Sequence, residues 1–309
     1  MTYLKRQPFA MSGLILALAT SGNLLQSYSQ SLRLILGGLA LVLWLTYTLN
    51  LLVNYATFKK EMQDPLPASV FPTYAMAIII LTTYLRPLLG LPPGLAEGIW
   101  YLALAFNLYL SIRYAFRYLP QRQIQQVFPS WGVVFVGFVV ASVTAPVYGN
   151  LLLGQILFYL GLLGGILVMP FMLYRVYVLH DLSQPAQLTT AILCAPFSLL
   201  VAAYVSSFPH PSHLLLALLL LVAQGLYVSI LVQLPRLLAL GFFSTSAALT
   251  FPLVISALSL KLALPVLTCQ LGAASLLVHL ETFIAVAILV DVTYGYLKDI
   301  FHSRESARA

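Results

Sequence analysis

The stretch Ser246–Leu262, "SAALTFPLVISALSLKL", reads as a helix crossing a lipid bilayer with one interruption, Phe251-Pro252. Inside a helix, proline removes a backbone hydrogen bond and drives the chain to bend. Hydrocarbon supplies no replacement partner, so the carbonyl freed at Ala248 is tolerated only where protein or a watery cavity meets it. The stretch therefore poses the question of what lies beside Pro252, and why a large aromatic ring stands next to it.

Composition extends that reading to the whole chain. Of 309 residues, 61% are hydrophobic and 7% charged, against roughly 25% charged in an ordinary soluble protein. A spanning helix needs about 20 apolar residues. Ten segments meet that rule, at about 9–27, 32–55, 69–89, 95–117, 131–148, 150–173, 187–207, 213–235, 242–262 and 267–290. The connectors are short, the longest polar ones being "KKEMQDP" (59–65), "RYLPQRQIQQ" (117–126) and "LHDLSQPAQ" (179–187). The expected fold is an all-α polytopic membrane protein forming a single transmembrane domain over residues 1–309. Lys5 and Arg6 ahead of an apolar run resemble a signal peptide, but pairing of the later segments calls for a first membrane helix there. The two cysteines, Cys194 and Cys269, lie in apolar runs and read as buried small hydrophobes rather than a disulfide framework.

The net charge of +7 does not call for a nucleic-acid partner, because most cations flank the apolar runs, which is how membrane topology is written. Lys5, Arg6, Lys59, Lys60, Arg113, Arg117, Arg122, Arg175, Arg236, Lys298, Arg304 and Arg308 fall at the termini or after even-numbered segments. Only Arg33, Arg86 and Lys261 fall on the other side. The excess predicts that both termini are cytoplasmic.

Odd-numbered segments carry a proline beside an aromatic: Pro8-Phe9, Phe71-Pro72, Phe128-Pro129, Pro196-Phe197 and Phe251-Pro252. The successive proline spacings of 64, 57, 67 and 56 residues each approximate one helical hairpin. Even-numbered segments are more uniformly aliphatic, as in "HLLLALLLLVAQGLYVSILVQL" (213–234), although Pro170 lies late in the sixth. The expected repeats are about 9–55, 69–117, 131–173, 187–235 and 242–290, with the broken helices around an axis and the straight ones outside. Interrupted helices and internal repeats are common where membrane proteins build transport pathways.

A charge at the bilayer centre costs about 2.5–3.5 kcal/mol on insertion scales, so charge placement is informative. The odd segments hold no Asp or Glu, and their cations are Arg86 and Lys261, both toward the non-cytoplasmic end. Glu97, Glu281 and Asp291 lie on even segments. A pathway lined by odd helices would thus lack carboxylates and carry cations at its outer mouth, which favours anions. The competing reading is that Arg86 and Lys261 only snorkel to the interface. Phe251 would block a narrow apolar pore sterically and by dewetting, or else it is an ordinary packed aromatic.

Several phrases resemble the tellurite-resistance/dicarboxylate transporter family, which includes the plant guard-cell slow anion channels. "ALTFPLVISALSLK" (248–261) resembles its ninth helix and "PAQLTTAILCAPFSLLVAAYVS" (185–206) its seventh. "FPSWGVVFVGFVVASVTAP" (128–146) is similar to the fifth and "FPTYAMAIIILTTYL" (71–85) to the third. The resemblance implies ten helices as five hairpins about a pseudo-fivefold pore, a homotrimer with one pore per subunit, and a plasma-membrane location. It also implies that Phe251 plugs the pore, and the expected pore-helix kinks are Gly13, Pro72, Pro129, Pro196 and Pro252. In the first segment, "PFAMSGLILAL" (8–18), Pro8 and Gly13 match the family pattern, whereas Leu14 and Ile15 stand where an aromatic is often found. The long polar termini of the plant channels have no counterpart here, so control by that phosphorylation route is not expected.

The first functional expectation is a passive channel for small anions, without a cofactor. The second is a proton-coupled carrier of C4-dicarboxylates, or an exporter of tellurite or an organic anion, with Glu281 and His279 as the titratable candidates. Two residues apart, these do not share a helix face. No enzyme is expected: there is no nucleophile–base arrangement and no HExxH. His210 and His213 lack nearby acidic or thiol ligands, and His180-Asp181 is a lone pair in a connector. Gly161-x-x-x-Gly165 is a close-packing pattern that leaves the oligomeric state open.

Overall fold

In hydrocarbon a helix is the economical solution for an apolar segment because it satisfies its own amides and carbonyls. The computed structural model describes residues 7–267 and 272–302, and these contain helices and no strand. Cys269, Lys5, Arg6, Arg304 and Arg308 lie outside the described residues. The chain is a polytopic all-helical membrane protein.

Nine helical runs among the described residues are long and apolar enough to span a bilayer. Five of them are Gln30–Val53 (α2), Pro93–Gln121 (containing α6, Pro93–Tyr118), Leu151–Leu179 (containing α9, Leu151–Tyr174), His213–Leu238 (α12) and Ser275–Asp299 within Gly272–His302 (α14). The other four are broken. Pro65–Leu89 divides at Phe71 into α4 (Pro65–Val70) and α5 (Pro72–Leu89). Trp131–Tyr148 contains α7 (Trp131–Val136) and α8 (Val140–Thr144) with a 3-10 turn between them. Gln184–Ser207 passes from α10 (Gln184–Gln187) through the 3-10 run Leu188–Cys194 into α11 (Ala195–Ser207). Ser244–Val266 opens as the 3-10 run Ser244–Leu249 and continues as α13 (Thr250–Val266). The first apolar helix, α1 (Met11–Leu25), has only 15 residues. A short α3 (Tyr55–Glu61) occupies much of the connector after α2.

Burial sorts these runs into two layers. In the broken runs 72–94% of the spanning window is buried, and α1 buries all but Asn23 and Leu25. In the unbroken runs the share is 22–39%. Their exposed side chains are large and apolar, among them Leu102, Leu152, Leu214, Leu221 and Phe283, a surface suited to lipid rather than water. The broken helices therefore form the inside and the straight ones the outside.

Contacts among the inner helices close on themselves. α1 packs on α5, α5 on α8, α8 on α11, α11 on α13, and α13 back on α1. Each also packs against the straight helix that follows it: α2, α6, α9, α12 or α14. Polar contacts cross every junction of this circuit. Ser12 and Thr73 hydroxyls meet at 2.7 Å, Ser69 and Ser130 at 2.5 Å, and Ser198 and Ser256 at 2.9 Å. Ser207 Oγ donates to the Ser142 carbonyl at 2.6 Å, and Lys261 Nζ donates to the Leu24 carbonyl. Such bonds average only about 0.6 kcal/mol in a bilayer, so their value lies mainly in fixing which small residues face one another.

The Gly161–Gly165 pattern has a specific packing role. A Cβ on Gly161 would overlap Val139 Cγ2, whereas one on Gly165 would rest 3.6 Å from Leu200 Cδ1. Gly161→Ala should therefore lower stability by about 1–3 kcal/mol, the usual cost of overpacking. Gly165→Ala should be neutral or slightly stabilising, since it relieves up to about 1 kcal/mol of helix-interior glycine penalty. Thermal melts in detergent check both, and equal loss in the two variants would contradict the packing described.

Candidate functional site

The later proline–aromatic pairs stand at the starts of α-helices, whereas Pro87 and Pro265 lie inside α5 and α13 near their ends. Pro72 is the first residue of α5, Pro196 lies in the first turn of α11, and Pro252 in the first turn of α13. Pro129 precedes α7, where the Gly132 amide donates to its carbonyl at 3.2 Å. This is the position where proline's missing N–H costs least and its fixed φ suits the helix. The residues just before these starts adopt 3-10 turns or break the helix. The 3-10 run Leu188–Cys194 has seven residues, beyond the three or four usual for that geometry.

Two cavities lie along the inside of the bundle, and Phe251 lines both. The larger, with a volume of about 250 Å³, is bordered by Thr20 of α1, Thr83 of α5, Val143 of α8, Ser206 of α11 and Ile255 of α13, with Phe251. The smaller, of about 30 Å³, is bordered by Gly13, Thr73, Val133, Ile192, Ala248 and Pro252, again with Phe251. All five inner runs contribute to each. Phe251 is 5% exposed. Ala248, four residues before Pro252, borders the smaller cavity.

The lining is weakly polar by construction. Among the described residues, no Asp or Glu borders either cavity. Thr20 and Thr83 donate their hydroxyl protons to the carbonyls of Leu16 and Ile80, each at 2.8 Å. Thr144 donates to its own helix and accepts from Trp100 Nε1 at 2.8 Å. These three hydroxyl protons are committed to protein atoms. Donors concentrate at one end of the larger cavity, where Asn23, Gln26 and Arg33 line it. Arg33 Nε donates to Asn23 Oδ1 at 3.1 Å, and its guanidinium lies 4.9 Å from the centre of the Tyr84 ring. The Tyr84 hydroxyl sits 2.6 Å from the Ala19 carbonyl and 3.1 Å from Asn23 Oδ1. With Oδ1 so engaged, the amide NH2 of Asn23 is the group left to donate.

The structure does not bring the two expected outer-mouth cations to this cavity. Arg86 is exposed and Lys261 is absent from the lining. Lys261 instead bonds the Leu24 carbonyl and Ser27 Oγ (2.6 Å), and lies 5.2 Å from the Tyr28 ring centre. It ties α13 to the end of α1. The cation that lines the cavity, Arg33, begins a straight helix, and only its position opposite the basic side was visible in the sequence. The cavity-lining stripe of α5, Ile80 and Thr83, stops a turn short of Arg86.

The expected titratable pair is divided. His279 is exposed, with Nδ1 2.6 Å from the Ser275 carbonyl and its ring edge against Tyr28. Glu281 is 6% exposed, and its Oε2 has no hydrogen-bond partner although Gln224 lies beside it. Of the other acids, Glu97 accepts from Asn150 Nδ2 at 3.1 Å and Asp291 is exposed. Cys194 is fully buried, while His210 and His213 are exposed.

The inner helices of this membrane bundle thus enclose two cavities bordered, among the described residues, by no Asp or Glu, with Arg33 at the larger. The sequence model of a family described as a voltage-dependent anion channel, SLAC1, matches residues 7–293. The chain belongs to the SLAC1 family, and membership places it among anion channels and transporters. No curated protein matches it.

The two cavities generate a labelling experiment. With Cys194 and Cys269 replaced by alanine, Thr83→Cys should react readily with an anionic thiosulfonate applied from the Arg33 side. Thr189→Cys, at the smaller cavity, should react more than an order of magnitude more slowly unless Phe251→Ala is also present. Equal rates with Phe251 intact would show that the ring does not separate the cavities.

Proposed function

We propose that this protein is a passive channel through which small anions move down their gradient, occluded at rest by the Phe251 ring. The observation that carries the reading is the position of Phe251, buried between two cavities whose linings come from all five inner runs and contain no acid. The closed circuit of inner contacts, each inner helix packed on its following straight helix, supports ten helices in five hairpins about a pseudo-fivefold axis. Residues 1–309 then form one transmembrane domain. The basic residues at the ends of the straight helices support cytoplasmic termini, and resemblance supports a homotrimer in the plasma membrane with one pathway per subunit.

The chemistry follows from what the walls offer. Arg33 and the Asn23 amide attract an anion to the wide end, where the larger cavity accommodates it with part of its water. Beyond, the threonine hydroxyl protons are committed to protein carbonyls, so little replaces lost hydration. Selectivity then follows the ease of dehydration, and conduction is favoured because no strong ligand holds the ion. Rotation of the Phe251 ring, or movement of the 3-10 run before it, opens the passage.

Chloride flux from proteoliposomes at a clamped potential should rise at least tenfold in Phe251→Ala, the effect of lowering a barrier by about 1.4 kcal/mol. Thiocyanate should exceed nitrate, and nitrate chloride, with potassium excluded. Unchanged flux in the variant, or equal permeation of the three anions, would defeat this reading.

A proton-coupled carrier of C4-dicarboxylates, or an exporter of tellurite or an organic anion, is the second reading. The buried, unpartnered Oε2 of Glu281 favours it, because intramembrane acids often serve as proton sites. Against it, a dicarboxylate calls for two fixed positive groups, and Arg33 is the sole cation bordering the larger cavity. Glu281→Gln should leave flux and its pH dependence unaltered for a channel. Loss of a proton-driven flux in that variant would instead establish the carrier.

A further inference from the structure

A third cavity, of about 200 Å³, lies away from the central passage, between α3, the α4–α5 break and α6. We propose that it binds an anionic glycerophospholipid, with the phosphate held by Lys59, Arg113 and Arg117 and an acyl chain laid along α6.

The order of side chains on α6 carries the assignment. Phe106, Tyr109, Leu110, Arg113 and Arg117 all line the cavity. Their spacings of three, one, three and four residues keep them on one helical face. The face begins aromatic and aliphatic, toward the middle of the span, and ends in two guanidinium groups where the helix ends. Across the cavity, α3 repeats the pairing with Phe58 and Lys59. A lipid has this same polarity: apolar chains on the bilayer side and a charged head at the interface.

Charge complementarity selects the headgroup. Lys59, Arg113 and Arg117 are exposed, and none forms an ion pair with a described acid. Arg117 lies 5.5 Å from the centre of the Tyr118 ring. The nearby acids Glu61 and Asp64 do not line the cavity. Three cations beside an apolar wall match a phosphodiester that remains attached to its chains, whereas a free anion would leave the aromatic wall unfilled.

The floor joins this site to the inner bundle. Phe71, at the break before α5, lies 4.8 Å from Phe58 and stacks on Tyr74 at 5.5 Å and 7°. The Tyr114 hydroxyl accepts from Trp131 Nε1 of α7 at 2.9 Å. A bound lipid therefore braces the starts of two inner helices.

Native mass spectrometry of the purified full chain, titrated with phosphatidylglycerol, tests the assignment. Replacing Lys59, Arg113 and Arg117 together by glutamine should weaken retention of the lipid ~100-fold, given the usual contribution of each cation near an anionic surface. Arg113→Gln alone should weaken it about fivefold. A control carrying Arg122→Gln, Arg236→Gln and Lys298→Gln should bind as the wild type does. Equal weakening in both triple variants would reduce the effect to general surface attraction. Competition by inorganic phosphate as effective as that by the lipid would make this a free-anion site. Either result overturns the proposal, and neither bears on flux through the central passage.

Discussion

A backbone amide or carbonyl stranded in hydrocarbon costs several kcal/mol, and this penalty governs where a membrane helix breaks. Here the breaks fall in the inner layer, at Phe71, at the turn between α7 and α8, and at the 3-10 runs Leu188–Cys194 and Ser244–Leu249. Exposed to lipid, each would leave unpaired groups. Turned inward, they meet neighbouring helices and small cavities. Once the breaks must face inward, the straight helices are left to cover them, and the two-layer order follows.

The same constraint explains the chemistry of the passage. Several hydroxyls in the inner helices satisfy their donors locally, as Thr20, Thr83 and Ser198 do with carbonyls of their own runs. They cushion the helices without creating strong ion sites. Fixed positive charge is kept to the rim, where Arg33 is steadied by Asn23 and Tyr84. The proposed separation of attraction from occlusion rests on these positions: Arg33 lines one end of the larger cavity, and Phe251 lines both cavities.

Much of this was legible in the sequence. Length and hydropathy give the spans because the bilayer imposes them, and proline–aromatic pairs mark the four broken segments, although Pro170-Phe171 lies inside the unbroken α9. The exceptions have physical causes. α1 is short, at 15 residues, and "KKEMQDP" reads as a polar connector although its first half closes α3 and its proline opens α4. The prolines were read as kinks, yet most sit in first turns, a difference that depends on the preceding 3-10 geometry. Lys261 does not take the outer-mouth place expected of it, and Arg33, assigned from the sequence only to a side of the membrane, lines the cavity. The direction of a long side chain depends on its neighbours: Lys261 reaches the end of α1, and Arg33 reaches Asn23. Neither contact has a periodic signature.

The central claim is that the volume of the side chain at position 251 sets the barrier between the two cavities. Chloride flux through Phe251→Trp, Leu, Val and Ala variants in proteoliposomes, at matched protein content, tests it directly. The account predicts flux that climbs stepwise as the side chain shrinks, with the tryptophan variant no more active than the wild type. Flux indifferent to side-chain size among well-folded variants would contradict it and return Phe251 to ordinary packing.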